Sequence, residues 1–165
     1  MGRRRHRSLA AGAALAALVL AAGGLWATVA RYELAGEGAE VRVLDRVTGL
    51  EWQGAPPGAG VDWPAALAAC AGLDLGGDDD WRLPDVTELQ SILDETAPAS
   101  GPPVNATYFS ELSDTDAYWT ATTHPTATSS ALVVHLEAGD SLTGRGGVSG
   151  RQKSASALYL CVRGP

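Results

Sequence analysis

Sulfur and basic charge are both scarce in this chain. Its 165 residues include two Cys and one Met, and 12 Lys and Arg stand against 19 Asp and Glu, a net charge of −7. An acidic surface repels phosphate backbones, so nucleic acid is not expected as a partner. Sulfated polysaccharides would need a local basic patch, and the one cluster, Arg145, Arg151 and Lys153, reads as a solvated loop. Motifs that carry chemistry are missing as well. His124 falls in a loop and His135 in a strand, without the H-x-H or H-E-x-x-H spacing of a metal site. There is no G-x-S-x-G, no Walker loop and no dinucleotide fingerprint. These absences read as a protein that is not an enzyme, has no resident cofactor and catalytic residues, and forms one domain without internal repeats.

What is present begins with an N-terminal leader. Arg3, Arg4, Arg5 and Arg7 form a basic head, and residues 9–30 follow as an uncharged run of Ala, Leu, Gly and Val. This is the order of a secretory signal, with cleavage after Ala27 or Ala30. The run is also about 22 residues long, enough to span a bilayer as an uncleaved anchor. Residues 1–30 are therefore a signal peptide or an anchor. Under either reading the remainder is exported (secreted, periplasmic or on the cell surface), and contact with a membrane is confined to this segment. Without its four Arg, the exported part is more acidic still.

Residues 31–40 carry Glu and Gly with no period and read as a linker. The alternation of Val41–Asp45 and Leu50–Gln53 around Gly49 predicts a hairpin. Asp62 can cap a first helix with Pro64 in its first turn, running to Ala71 and stopped by Gly72. Residues 96–107, with three Pro and a Gly, are an irregular connection containing the sequon Asn105-Ala106-Thr107. Strands are expected at 118–122 and 131–136, the second turning through 138–140 into 141–143, then a loop over 144–156 and a last strand over 157–163.

Residues 76–93 hold the densest set of local instructions: G-G-D-D-D-W-R-L-P-D-V-T-E-L-Q-S-I-L. Pro84 disfavours helix at Leu83, Asp85 can accept from the free amides of the next turn, and Glu88 can reach back to it. Val86, Leu89, Ile92 and Leu93 then make an apolar stripe that must face a core. Arg82 is placed to tie this loop to Asp85 or Glu88. Two early helices with strands at both ends suggest an α+β domain in which the hairpin meets the last strand. In an oxidising compartment Cys70 could bridge Cys161; two free buried thiols are the alternative.

Taken together, T-G-L-E-W-Q around Trp52, the helix ending at Cys70, the D-D-D-W-R-L-P-D-V-T-E-L run, Y-W-T-A-T around Trp119 and the L-C-V-R ending at Arg163 resemble the Lcl C-terminal domain family. That family comprises bacterial exported domains of unknown function and is named for a collagen-like adhesin. The resemblance covers residues 41–165 and implies a C-type-lectin-like fold: two short helices, a small mostly antiparallel sheet, long loops and a Cys70–Cys161 disulfide. It also implies binding or adhesion at the cell envelope. In such a scaffold Trp52, Trp81 and Trp119 are packing residues, and Arg82, Leu83, Pro84, Asp85, Glu88 and Arg163 are structural motif positions.

The E-P-N, Q-P-D and W-N-D tripeptides of sugar-binding C-type lectins do not occur, so their calcium-dependent saccharide recognition is not implied. Asp78, Asp79 and Asp80 remain the one oxygen cluster that could hold calcium, with a solvated loop as the alternative. Trp63 joins the other Trp residues as a ring that could stack on sugar or pack in the core. Formylglycine-generating enzymes share the broad fold but use free reactive cysteines. The expected function is thus recognition of a surface glycan or protein ligand through the loops at 96–107, 124–130 and 144–156. A structural domain of the envelope without a small ligand is the alternative, and an enzyme with an unrecognised site is the third reading.

Overall fold

A computed structural model describes residues 30–98, 100–137 and 146–164. All of the leader but Ala30, the turn at 138–140, the strand expected at 141–143 and Arg145 lie outside the described residues. Among the described residues no helix is long and apolar enough to cross a membrane.

Local rules place both helices. In α1 (Trp63–Ala71) the Asp62 carboxylate accepts from the Ala65 amide at 2.9 Å, with Pro64 in the first turn. In α2 (Val86–Ser91) the capping box is complete: Asp85 accepts from the Glu88 amide and Glu88 accepts from the Asp85 amide, both at 2.8 Å. Leu89 and Ile92 are buried, while Val86 and Leu93 pack against them half-buried. So short a helix is held by burial of this stripe and by its cap, not by propensity.

Two antiparallel sheets flank the helices. The first has the order β1 (Tyr32–Ala35), β2 (Arg42–Asp45), β3 (Glu51–Gln53), β7 (Val162–Arg163). The second has the order β4 (Ala117–Thr123), β5 (Ser130–His135), β6 (Val148–Gln152). The expected hairpin is β2–β3, closed by Gly49 at φ +75°, a backbone conformation that disfavours a side chain. Its second strand meets the chain's end, with Trp52 opposite Val162.

Three expectations are corrected. The linker carries β1 and a 3₁₀ turn at Gly38–Glu40; Tyr32 pairs with Asp45 and Ala35 with Arg42, so long-range pairing makes a strand of a segment with little pattern of its own. The loop expected at 144–156 contains β6, paired with β5 from Val148 to Gln152. The last strand is shorter than expected because residues 157–161 cross between the sheets. Leu158 bonds to β4 through the Trp119 amide and the Ala117 carbonyl, whereas the Cys161 carbonyl already serves Gln53 of β3.

The disulfide joins Cys70 to Cys161 with 5.4 Å between Cα atoms. It locks α1 to this crossing segment, and both cysteines are buried. The W-R-L-P run performs the parallel task without covalent help. Arg82 exchanges two backbone hydrogen bonds with Val162 of β7, and the Pro84 carbonyl accepts from Ala121 of β4 at 2.7 Å. Trp81 and Leu83 point into the core between.

The Arg82 guanidinium clasps Glu88 at 2.7 and 2.6 Å, so it holds the same carboxylate that caps α2. Arg82 is substantially exposed, which limits the worth of the pair itself. Arg82→Ala should therefore destabilise by only about 1 kcal/mol in urea unfolding, chiefly by loosening the cap. An unchanged midpoint would refute that role.

Candidate functional site

The Asp run does not form a cation site. Arg163 donates to Asp80 at 2.6 Å and Glu51 at 2.7 Å and reaches Asp78 at 3.0 Å, while Arg42 lies 3.5 Å from Glu51 and 3.8 Å from Asp78. Hydrogen bonding to Arg163 holds the Asp80 carboxyl below its usual range and raises the Arg163 pKa. Gly76, at φ +70°, turns the loop where the Arg42 guanidinium fills the space of a Cβ. The calcium expectation is corrected accordingly: two Asp of the run neutralise arginines, and among the described residues no three His, Cys, Asp or Glu are grouped to hold a metal ion.

The aromatic residues divide as packing demands. Trp52 and Trp119 are wholly buried and Trp81 nearly so. Trp63 is half-buried, its indole N–H donating to the Thr120 carbonyl at 2.8 Å and the Lys153 ammonium lying 4.0 Å from its ring centre. Arg151, expected in a solvated basic loop, donates to Asp116 and to the Ser156 carbonyl at 2.8 Å each.

One constellation has no counterpart in any short motif. His135 Nε2 lies 2.8 Å from Ser149 Oγ, and Nδ1 lies 3.2 Å from a Glu137 oxygen. Both ring nitrogens of this nearly buried imidazole are thereby satisfied, as burial requires. None of the three hollows described below is lined by Ser149.

The first and third of those hollows border β1, and the second adjoins the first. The first, about 410 Å³, is walled by Arg31 and Tyr32 on one side and by Asp94, Glu95, Asn105 and Tyr108 on the other. A second of about 360 Å³ shares Leu93, Asp94 and Glu95 with it and extends to Gln90 and Gly146. The third, about 320 Å³, shares Tyr108 with the first and continues between Leu34, Val41 and Ala55 and the 107–111 segment. The first hollow shares wall residues with each of the other two, so the three adjoin as a groove, more polar at the Asp94 end and more apolar at the Leu34 end.

Burial builds the groove's floor. Tyr32 packs against Tyr108 and Phe109 with ring centres 5.4 and 5.3 Å apart, and burial pushes its phenol up to about 12. Arg31 lies 4.7 Å over the Tyr32 ring and donates to the fully buried Asp45 at 2.6 Å and to the Ser91 carbonyl at 2.7 Å. Its charge is thus spent internally. At the rim, Asp94 Oδ1 accepts from the Thr96 hydroxyl at 2.6 Å and the Thr96 amide at 2.8 Å, which keeps the carboxyl ionised to lower pH than usual. Its second oxygen has no partner among the described residues, and Glu95 is exposed. The groove therefore presents negative charge beside aromatic and apolar walls.

Four carboxyls are held below their ordinary values: Asp45, Asp80, Glu88 and Asp94. At Asp45 burial pushes upward, but hydrogen bonds from Arg31, Val47 and Thr48 outweigh it. Lowered folded-state values mean that their stabilisation is complete above the unfolded-state values near 4 and is lost as pH falls through the folded-state ones. The urea midpoint should hold between about pH 7 and 5 and fall below about pH 4. A midpoint that is flat down to about pH 3 would contradict these pairings.

The 96–107 connection, anticipated as a binding loop, supplies Asn105 and adjoins Tyr108 and Asp94. The opposite wall, Arg31, Tyr32 and Leu34, lies in the segment read as a linker. The period-two alternation of Tyr32-Glu33-Leu34-Ala35 was the available signal. Residues 42–163 match the Lcl C-terminal domain family. No curated protein matches the chain.

Proposed function

The chain belongs to the Lcl C-terminal domain family, and from that membership and the groove along β1 we propose that it is an exported, non-catalytic module that binds a ligand at the cell envelope. The observation that carries this reading is the adjacency of the three hollows around Tyr108 and Asp94, on a scaffold fixed by the disulfide and the W-R-L-P bridge. Aromatic and apolar walls with a few polar groups are the usual composition of a recognition site. The loop from residue 94 to 111 forms one side, consistent with function residing on loops over a rigid support. The leader read from the sequence supports export.

The test is binding of the full-length chain, purified in detergent, to glycan and peptide arrays. Tyr108→Ala with Asp94→Asn should abolish whatever binding is found, while the lost Tyr32–Tyr108 contact lowers the melting temperature only modestly and leaves the fold intact. Binding indifferent to both substitutions would place recognition elsewhere, and absence of binding on both arrays would contradict the reading.

A further inference from the structure

The inner wall of the groove is a sheet edge. Among the described residues β1 pairs with β2 alone and ends the order of its sheet. The register identifies which backbone groups are spent. The Arg46 amide donates to the Arg31 carbonyl at 2.8 Å, so residues 31, 33 and 35 face β2 in the hydrogen-bonded positions. Tyr32 and Leu34 alternate with them, and their amides and carbonyls point away from the sheet with no protein partner among the described residues. Unpaired edge groups of this kind are a template for another strand. Leu34 is 49% exposed, a large apolar side chain at the mouth of the apolar hollow.

Resting on the binding reading above, we infer that the ligand is an extended polypeptide that adds to β1 as a fifth strand of the first sheet. Its backbone bonds to Tyr32 and Leu34, an apolar side chain enters the hollow beside Leu34 and Val41, and a Lys or Arg side chain reaches Asp94 and Glu95. Backbone pairing supplies affinity in this mode, and pockets for alternate side chains supply selectivity. Charge complementarity selects the basic residue: Arg31 is already neutralised by Asp45, so among the described residues the carboxylates at the polar end are unbalanced. Side chains on one face of a strand recur every second residue, so the apolar and basic residues stand two or four positions apart. A glycan would use the aromatic and carboxylate groups but leave the edge amides unpaired.

The experiment uses the full-length chain in detergent and a library of short Thr-based peptides that carry Val and Lys two or four positions apart, with Val and Glu peptides as controls. Val/Lys peptides should bind, more weakly as salt is raised, and Val/Glu peptides should not. Binding should slow amide exchange at Tyr32 and Leu34. Leu34→Pro removes the outward amide without breaking a bond to β2, and edge strands tolerate proline; it should weaken binding about tenfold. Should that variant misfold, the exchange measurement on the unsubstituted chain decides. Equal binding of both peptide sets overturns the charge assignment, and peptide binding without slowed exchange at Tyr32 and Leu34 overturns strand addition. Glycan binding sensitive to Tyr108→Ala, with no peptide binding, overturns this inference while leaving the proposed function standing; no binding of either class overturns both.

Discussion

Replacing Cys70 and Cys161 together by Ala should lower the unfolding free energy by about 4–5 kcal/mol. The bridge joins residues 91 apart in sequence, and in the chain-entropy model a closed loop of that length restricts the unfolded chain by about that amount. Small domains are stable by only about 5–15 kcal/mol in total, so the loss is a large share. The structure also shows why the native state suffers. α1 is otherwise held by Trp63, Ala66, Leu67 and the Asp62 cap, and it lies against the segment that crosses between the sheets. Melting should fall by roughly 10–20 °C. Reduction of the unsubstituted protein should reproduce the effect, and a reduced protein with an unchanged urea midpoint would contradict it.

Trp119→Ala should cost about 3–5 kcal/mol, the range for emptying a large aromatic site that cannot collapse. Trp119 is fully buried opposite Val133, its indole N–H donates to the Val61 carbonyl at 2.8 Å, and its amide donates to Leu158 at 2.8 Å. It thus touches the second sheet, the crossing segment and the entry to α1 together. Trp119→Phe should cost less, about 1–2 kcal/mol, because the Val61 carbonyl keeps its hydrogen bond from Ala157. Val47→Ala serves as the control: Val47 is 74% exposed, and its loss should stay within about 0.5 kcal/mol. Equal effects at Trp119 and Val47 would be incompatible with this core.

What could be read from the sequence was what local chemistry decides. Asp62 and Asp85 announce helix starts through caps a few residues away, Gly49 announces a turn, and Arg82 close to Asp85 and Glu88 narrows its partner to those two acids, of which Glu88 is the one. Two cysteines in a domain that the sequence reads as exported leave one bridge to make. The rest depended on distant partners. Tyr32–Ala35 is a strand because Arg42–Asp45 lies beside it, and four residues of alternation between Arg31 and Gly36 carry too little pattern to say so. Val148–Gln152 contains Ser and Gly and becomes β6 only against β5. The sequence leaves Asp78 and Asp80 between oxygen ligands and a solvated loop because their arginine partner lies at the far end of the chain, brought over by β7. Half of the candidate groove was lost with the first of these errors: the loop wall was visible in the sequence, the strand wall was not.

Residue-resolved amide exchange of the free, full-length chain tests the free-edge groove most directly. If β1 is a paired strand with an open outer edge, Glu33 and Ala35 exchange slowly while Tyr32 and Leu34 between them exchange fast. Uniformly fast exchange across these four residues would return the segment to a linker and remove the groove's inner wall, and uniformly slow exchange would show the edge already covered.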